Sequence, residues 1–295
     1  MSHMHSPRIR LVTHRYIEAD GVQMFYREAG PSDAPVVLLL HGFPTSSFQF
    51  RELMPRLADQ FRVIAPDLPG FGFTEVPARR NYRYTFEALT DTILAFTDAL
   101  NLMRYALYLF DYGAPTGFRM ALAAPDKVTA IVSQNGNAYE EALGDAWAPV
   151  QLYWREPTAE HRNAIRAALT PEGIFREYSS GMSDPRLIKP EGYTLDAALM
   201  SRAGNVDIQL DLFLDYANNV KLYSAIQQYF RTAKPPILAI WGEFDPYFLP
   251  AGAWAFQRDN PESEVKLLPT GHFALETHLE EIADAMLEFL THHGF

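Results

Sequence analysis

From residue 36 onward, short apolar runs alternate with stretches of helical spacing, and this constrains the fold more than any other feature of the chain. Val36–Leu40, Arg62–Pro66, Tyr105–Phe110 and residues 128–133 are brief apolar or β-branched runs bounded by turn residues, the pattern of buried strands. Between them, Phe86, Leu89, Ile93, Phe96 and Leu100 recur at helical spacing, and residues 113–124 read as a second helix. Ser46 or Ser47 is placed to cap a helix running to about Leu57. Strands that alternate with helices are joined by crossovers, which implies a parallel sheet with helices on both faces. Ahead of this region, two strand-like runs at residues 9–13 and 22–27 flank Asp20-Gly21, a good turn pair.

The alternation stops near Asn137. Up to about Phe230 the chain is helix-like, rich in Tyr, Trp and Arg, and broken by Asn-Gly, Asp-Pro and Lys-Pro pairs. It resumes after Lys234-Pro235-Pro236 with strands at residues 237–241 and 265–268 and a closing helix at 278–290. The organisation expected is an α/β core in two parts, residues 1–137 and 231–295, interrupted by a helical segment at 138–230. Ligands of parallel sheets bind beyond the carboxyl ends of the strands, so this insertion is expected to lie over the active site as a cap.

Composition narrows the partners. The net charge of −11 argues against nucleic acid or an anionic membrane as a main partner. No run of about 18 apolar residues marks a membrane span. The chain has no cysteine, which excludes disulfides, thiol catalysis and cysteine metal sites. The first ten residues lack a signal-peptide hydrophobic stretch, so a cytoplasmic location is expected. Neither a phosphate-binding glycine loop nor a metal-ligand cluster is visible, and no cofactor and no metal are expected.

Three loops carry the chemistry. Asp111 sits between a strand and a helix with Gly113 two places later, the layout of a nucleophile elbow, although Leu109 stands where serine hydrolases favour Gly. By itself Asp111 also suits a helix N-cap. Asp245 follows the strand at 237–241, and Gly271-His272 follows the strand at 265–268. The order Asp111, Asp245, His272 is nucleophile, acid, histidine, with Asp245 placed to orient the imidazole. Glu243, nearer the strand end, is the alternate acid. In His41-Gly42-Phe43-Pro44 the Phe43 N–H can pair with that of Tyr112 as an oxyanion hole, while His41 braces the loop.

These motifs, with Pro66-Asp67-Leu68-Pro69-Gly70-Phe71-Gly72, make the chain resemble the α/β-hydrolase superfamily, and specifically its epoxide hydrolase and haloalkane dehalogenase branch. The resemblance implies an α/β-hydrolase fold: a mostly parallel eight-stranded sheet flanked by helices, with an inserted helical cap. It implies a carboxylate nucleophile, Asp111, that forms an alkyl ester, and a His272–Asp245 pair that activates water to hydrolyse it. The expected substrate is a small, largely apolar organic molecule, and the protein a monomer or homodimer.

The resemblance also separates two activities. Epoxide hydrolases place two tyrosines on the cap to protonate the leaving oxygen. Tyr153 and Tyr216 hold those positions, with Tyr223 the nearest rival to Tyr216. Typical haloalkane dehalogenases carry Trp after the nucleophile, where this chain has Tyr112, and commonly Asn or Glu where it has Phe43. Fluoroacetate dehalogenases carry arginines beside the nucleophile, where this chain has Tyr112 and Pro115, although Trp154 with Tyr153 and Tyr216 could bind halide. Phe43, Trp154 and Tyr223 are the expected substrate contacts. Epoxide opening to a vicinal diol is the leading expectation. Dehalogenation by the same triad is the alternative, and a non-catalytic ligand-binding protein on this fold is the alternative of another class.

Overall fold

Asp20 and Gly21 both take positive φ, 54° and 71°, the requirement of a tight two-residue hairpin turn. They join β1 (Thr13–Ala19) to β2 (Val22–Ala29) with Ala19 opposite Val22. The computed structural model describes residues 11–295. The first strand was expected at residues 9–13. Residues 9 and 10 lie outside the described residues, and within them the strand begins at Thr13 and runs to the turn. Pairing with β2 accounts for this difference, because five of the seven residues of β1 are exposed and its apolar pattern is weak.

The remaining strands are β3 (Val36–Leu40), β4 (Arg62–Pro66), β5 (Tyr105–Phe110), β6 (Val128–Gln134), β7 (Ile237–Gly242) and β8 (Glu264–Leu268). They form one eight-stranded sheet in the order β1-β2-β4-β3-β5-β6-β7-β8. β2 runs antiparallel to both neighbours, and the pairs from β4 to β8 are parallel. The central strand β5 is buried at all six positions, as a strand covered on both faces must be.

On the core, the helix expected from Ser46 is split into a 3-10 turn (Ser47–Phe50), capped by the Ser46 hydroxyl, and α1 (Leu53–Leu57). α2 (Phe86–Ala99) and α3 (Gly113–Ala123) follow, and after β7 come α10 (Ala251–Asp259), α11 (Ala274–Thr277) and α12 (Leu279–His292). α2 buries Phe86, Leu89, Ile93 and Phe96, the stripe read from its spacing.

Between β6 and β7 the described chain contains helices and no strand of the sheet. These are α4 (Ala148–Arg155), α5 (Ala159–Ile165), α6 (Pro171–Ser179), α7 (Pro190–Met200), α8 (Asn205–Asp215) and α9 (Ala217–Ala233). Threonine hydroxyls at Thr158 and Thr170 cap α5 and α6. Among the described residues, no helix is long and apolar enough to cross a membrane.

Candidate active site

The turn from β5 into α3 places Asp111 at φ 46°, in the left-handed region. Aspartate tolerates that region better than most residues, but it still costs about 1 kcal/mol, so the surroundings must hold it there. Gly113 permits the turn. A Cβ at that position would lie 2.2 Å from the Leu40 carbonyl oxygen of the neighbouring strand. The Gly that serine hydrolases favour two places before the nucleophile is absent, and Leu109 fills its place fully buried.

Around Asp111 the three loops converge. The Phe43 N–H donates to Asp111 Oδ1 at 2.5 Å, and the Tyr112 N–H also faces the carboxylate. Asp111 Oδ2 lies 3.8 Å from His272 Nε2. On the other side of the ring, His272 Nδ1 and Asp245 Oδ2 are 2.7 Å apart. The structure thus brings together the Asp111–His272–Asp245 set and the Phe43 and Tyr112 amides. Glu243, the alternate acid, is exposed. His41 braces its loop as expected: it is fully buried, and its Nε2 accepts the Leu68 N–H at 2.9 Å.

Asp245 is held by a residue that the sequence reading passed over. Asn135, just past β6 at φ 50°, donates through Nδ2 to Asp245 Oδ2 at 2.6 Å and accepts the Gly242 N–H at 3.0 Å. The Tyr247 N–H donates to the other carboxylate oxygen at 2.8 Å. One loop side chain therefore fixes both the acid and the end of β7. Its signal was the Asn-Gly pair, which reads in sequence only as a chain break.

Burial sets the charges. It raises the Asp111 carboxyl to about 6, against the opposing pull of His272 and the two backbone N–H groups. Burial lowers His272, but the adjacent Asp245 and the charge of Asp111 outweigh it and carry the imidazole up to about 9. Near neutral pH the resting pair is therefore a carboxylate facing an imidazolium.

A cavity of about 390 Å³ opens above these groups, between the core and the helical insertion. Phe43, Asp111, Tyr112, Tyr247 and His272 line it from the core, and Trp147, Val150, Ile165, Arg176, Glu177 and Phe213 from the insertion. Phe43 is thus at the wall.

Four expected insertion residues are not on that wall. The Tyr153 hydroxyl accepts from Arg162 at 3.0 Å, in a cluster where Arg162 also pairs with Asp207 and Asp211. Tyr153 shares a helix face with Pro149 and Val150, which do line the cavity, but it lies a turn further along α4, where Arg162 holds its hydroxyl. The Trp154 indole N–H donates to the Phe213 carbonyl at 2.7 Å and has no hydrogen left for a halide. Tyr216 is fully buried one layer behind, packed on Trp147 and Tyr112 at centroid distances of 4.5 and 5.8 Å. Its hydroxyl faces that of Tyr223, which accepts from Asn137 at 3.2 Å. Tyr223 is likewise buried away from the cavity. The site instead receives Trp147, whose buried indole N–H has no hydrogen-bond partner among the described residues, and Glu177. Gly173, Arg176, Glu177 and Ser180 line the cavity at helical i, i+3, i+4, i+7 spacing. That stripe is polar and small rather than apolar, so a search for hydrophobic periodicity does not detect it.

An elbow at β5, a late histidine after β8 and an acid after β7, on a sheet of this order, define an α/β hydrolase. The chain belongs to that family: the family model described as alpha/beta hydrolase fold matches residues 35–279. The uncharacterized hydrolase YNR064C of Saccharomyces cerevisiae is 47% identical over 278 residues, covering 93% of this chain and 95% of the relative. A haloalkane dehalogenase of Mycolicibacterium paratuberculosis is 38% identical over 116 residues, 39% of this chain and 38% of the relative. The crystal structure of epoxide hydrolase VrEH1 from Vigna radiata superimposes with a TM-score of 0.73 at 26% identity, covering 95% of this chain and 98% of that one.

Proposed function

We propose that this hydrolase opens epoxides to vicinal diols through a covalent alkyl ester on Asp111. The observation that carries the reading is the carboxylate at the elbow, with Oδ1 held by the Phe43 N–H and Oδ2 turned toward His272. A serine attacking a saturated carbon would form an ether, which water does not readily cleave. A carboxylate forms an ester, whose carbonyl water can attack.

The two half-reactions use the same groups in turn. Asp111 attacks an epoxide carbon, the ring C–O bond breaks and the oxygen takes a proton. Esterification removes the negative charge on Asp111, one of the influences that keep His272 protonated. Once neutral, His272 takes a proton from water as that water adds to the ester carbonyl. The carbonyl oxygen is the former Oδ1, already beside the Phe43 and Tyr112 amides, which stabilise the oxyanion. Asp245, held by Asn135, supports the imidazolium that forms. A cavity of about 390 Å³ with a mostly apolar wall suits a small organic substrate. The likeness to the Vigna radiata epoxide hydrolase supports the same chemistry.

Displacement of halide by the same carboxylate is the second reading. It is favoured by Trp147, whose buried N–H beside the cavity has no acceptor among the described residues, and by the partial likeness to a haloalkane dehalogenase. The experiment that tests both is product analysis on matched epoxide and haloalkane panels, combined with intact-mass measurement of His272→Gln. Diol from epoxides, and a variant heavier by one substrate mass, are expected. Halide release with no diol from any epoxide transfers the assignment to dehalogenation, and an unshifted mass with a turned-over substrate rejects the ester.

A further inference from the structure

Displacement of Tyr153 and Tyr216 from the cavity leaves the epoxide oxygen without its expected proton donors. We infer that Glu177, on the cavity wall formed by α6, is the acid that protonates the leaving oxygen as Asp111 attacks. The inference rests on the epoxide reading of the site.

Position comes first. Glu177 lines the same cavity as Asp111 and His272 and is close enough to exchange charge effects with both. Its hydroxyl neighbour is Tyr247, from the loop after β7 that also carries Asp245. Other charged groups facing it are Asp111 from the elbow, Asp245 and His272, and Arg176 adjoins it on α6. Among the described residues no arginine or lysine forms an ion pair with Glu177 that would hold it ionised. Glu177 is partly buried at the cavity wall, and desolvation there raises its carboxyl to about 8, opposed by His272 and reinforced by the charge of Asp111, which favours the neutral acid near neutral pH. The phenols at the wall, Tyr112 and Tyr247, are pushed further above their ordinary value by burial and are weaker acids near neutral pH. An acid whose pKa lies near the working pH transfers a proton most effectively.

The step balances. Asp111 carboxylate forms a bond to the epoxide carbon, the ring C–O bond breaks, and the Glu177 carboxyl gives its proton to that oxygen. This yields a hydroxyalkyl ester and a Glu177 carboxylate. Ester hydrolysis consumes one water, frees the diol and the Asp111 carboxylate, and leaves the extra proton on His272. The resting proton of His272, released once Asp111 is esterified, goes to Glu177, direct or through solvent, so both groups end as they began. A halide leaving group would need no such acid.

The test measures ester formation alone, in the His272→Gln background where the adduct accumulates, with styrene oxide and a set of aliphatic terminal epoxides as probes. Adding Glu177→Gln, which keeps shape and removes the proton, is expected to slow adduct formation by roughly 10²–10⁴-fold, the range of a positioned general acid. It is also expected to abolish the fall in rate as pH rises through the Glu177 titration. Glu177→Asp should restore part of both. Equal adduct rates with and without Glu177→Gln, and an unchanged pH profile, overturn the role of Glu177 while leaving the Asp111 ester standing. If no epoxide gives an adduct in the His272→Gln protein, the Asp111 reading fails and the proposal falls with it.

Discussion

Gly42→Ala tests the oxyanion arrangement with a single methyl group. Gly42 lies between His41 and Phe43, and a Cβ there would sit 2.2 Å from Asp111 Oδ1 and 2.6 Å from the Tyr112 nitrogen. Ordinary contacts between such atoms begin above 3 Å, so the carboxylate or the loop must move by nearly an ångström. The movement falls on the two amides proposed to hold the tetrahedral oxyanion, one of which reaches Asp111 at 2.5 Å. Loss of one donor of this kind costs roughly 3–4 kcal/mol, or 10²–10³-fold in turnover. Gly42 does not have a positive φ, so backbone strain should not add to the effect. The assay follows ester formation by rapid-quench mass spectrometry and ester decay in the same samples, with Tm recorded separately. Both steps should slow, decay the more, because only that step develops charge on the carbonyl oxygen. Turnover within threefold of wild type in a variant of unchanged Tm would refute the close approach of the two loops and the role given to their amides.

Three further outcomes are expected. Burial raises Asp111 from its ordinary 3.8 to about 6, so the fold favours its protonated form. Its stabilising contribution is present below 3.8 and lost as pH rises to about 6, while ester formation needs the carboxylate and rises over that window. Asp111→Asn should flatten that part of the Tm–pH curve, and a difference from wild type that stays constant between pH 4 and 7 would contradict the assignment. Asn135→Asp puts a second carboxylate where an amide now reaches Asp245 at 2.6 Å, and Asp tolerates the positive φ there. Ester decay should slow far more than ester formation, whereas equal slowing of both would remove Asn135 from the support of the base. Tyr153→Phe should cost about 1 kcal/mol of stability, the ordinary worth of a hydrogen bond, and leave diol formation within a few-fold. Loss of diol formation would place that hydroxyl at the leaving oxygen instead.

The core was legible because its signals are local. Val36–Leu40 and Tyr105–Phe110 announce buried strands by composition, and Asp111, Asp245 and His272 each follow a strand end, where parallel sheets expose side chains. The insertion was less legible. Which face α4 turns to the cavity depends on how it packs against α5 and α8, and Arg162, Asp207 and Asp211 draw Tyr153 to that junction. Trp154 likewise has an indole N–H that is taken by the Phe213 backbone, a contact with no trace in sequence spacing. Glu177 and Asn135 were missed for opposite reasons. The one is polar where periodicity looks for apolar residues, and the other sits in a pair that reads as a turn.

The most direct measurement of the central claim is the origin of the oxygen in the first turnover. With enzyme in excess over an epoxide in heavy-oxygen water, the oxygen added to the diol should be unlabelled, because it comes from the Asp111 carboxylate and the label enters the protein. Repeated turnovers should then release labelled diol. Diol fully labelled in the first turnover would mean that water attacks the epoxide directly, and Asp111 would be a base and not the nucleophile.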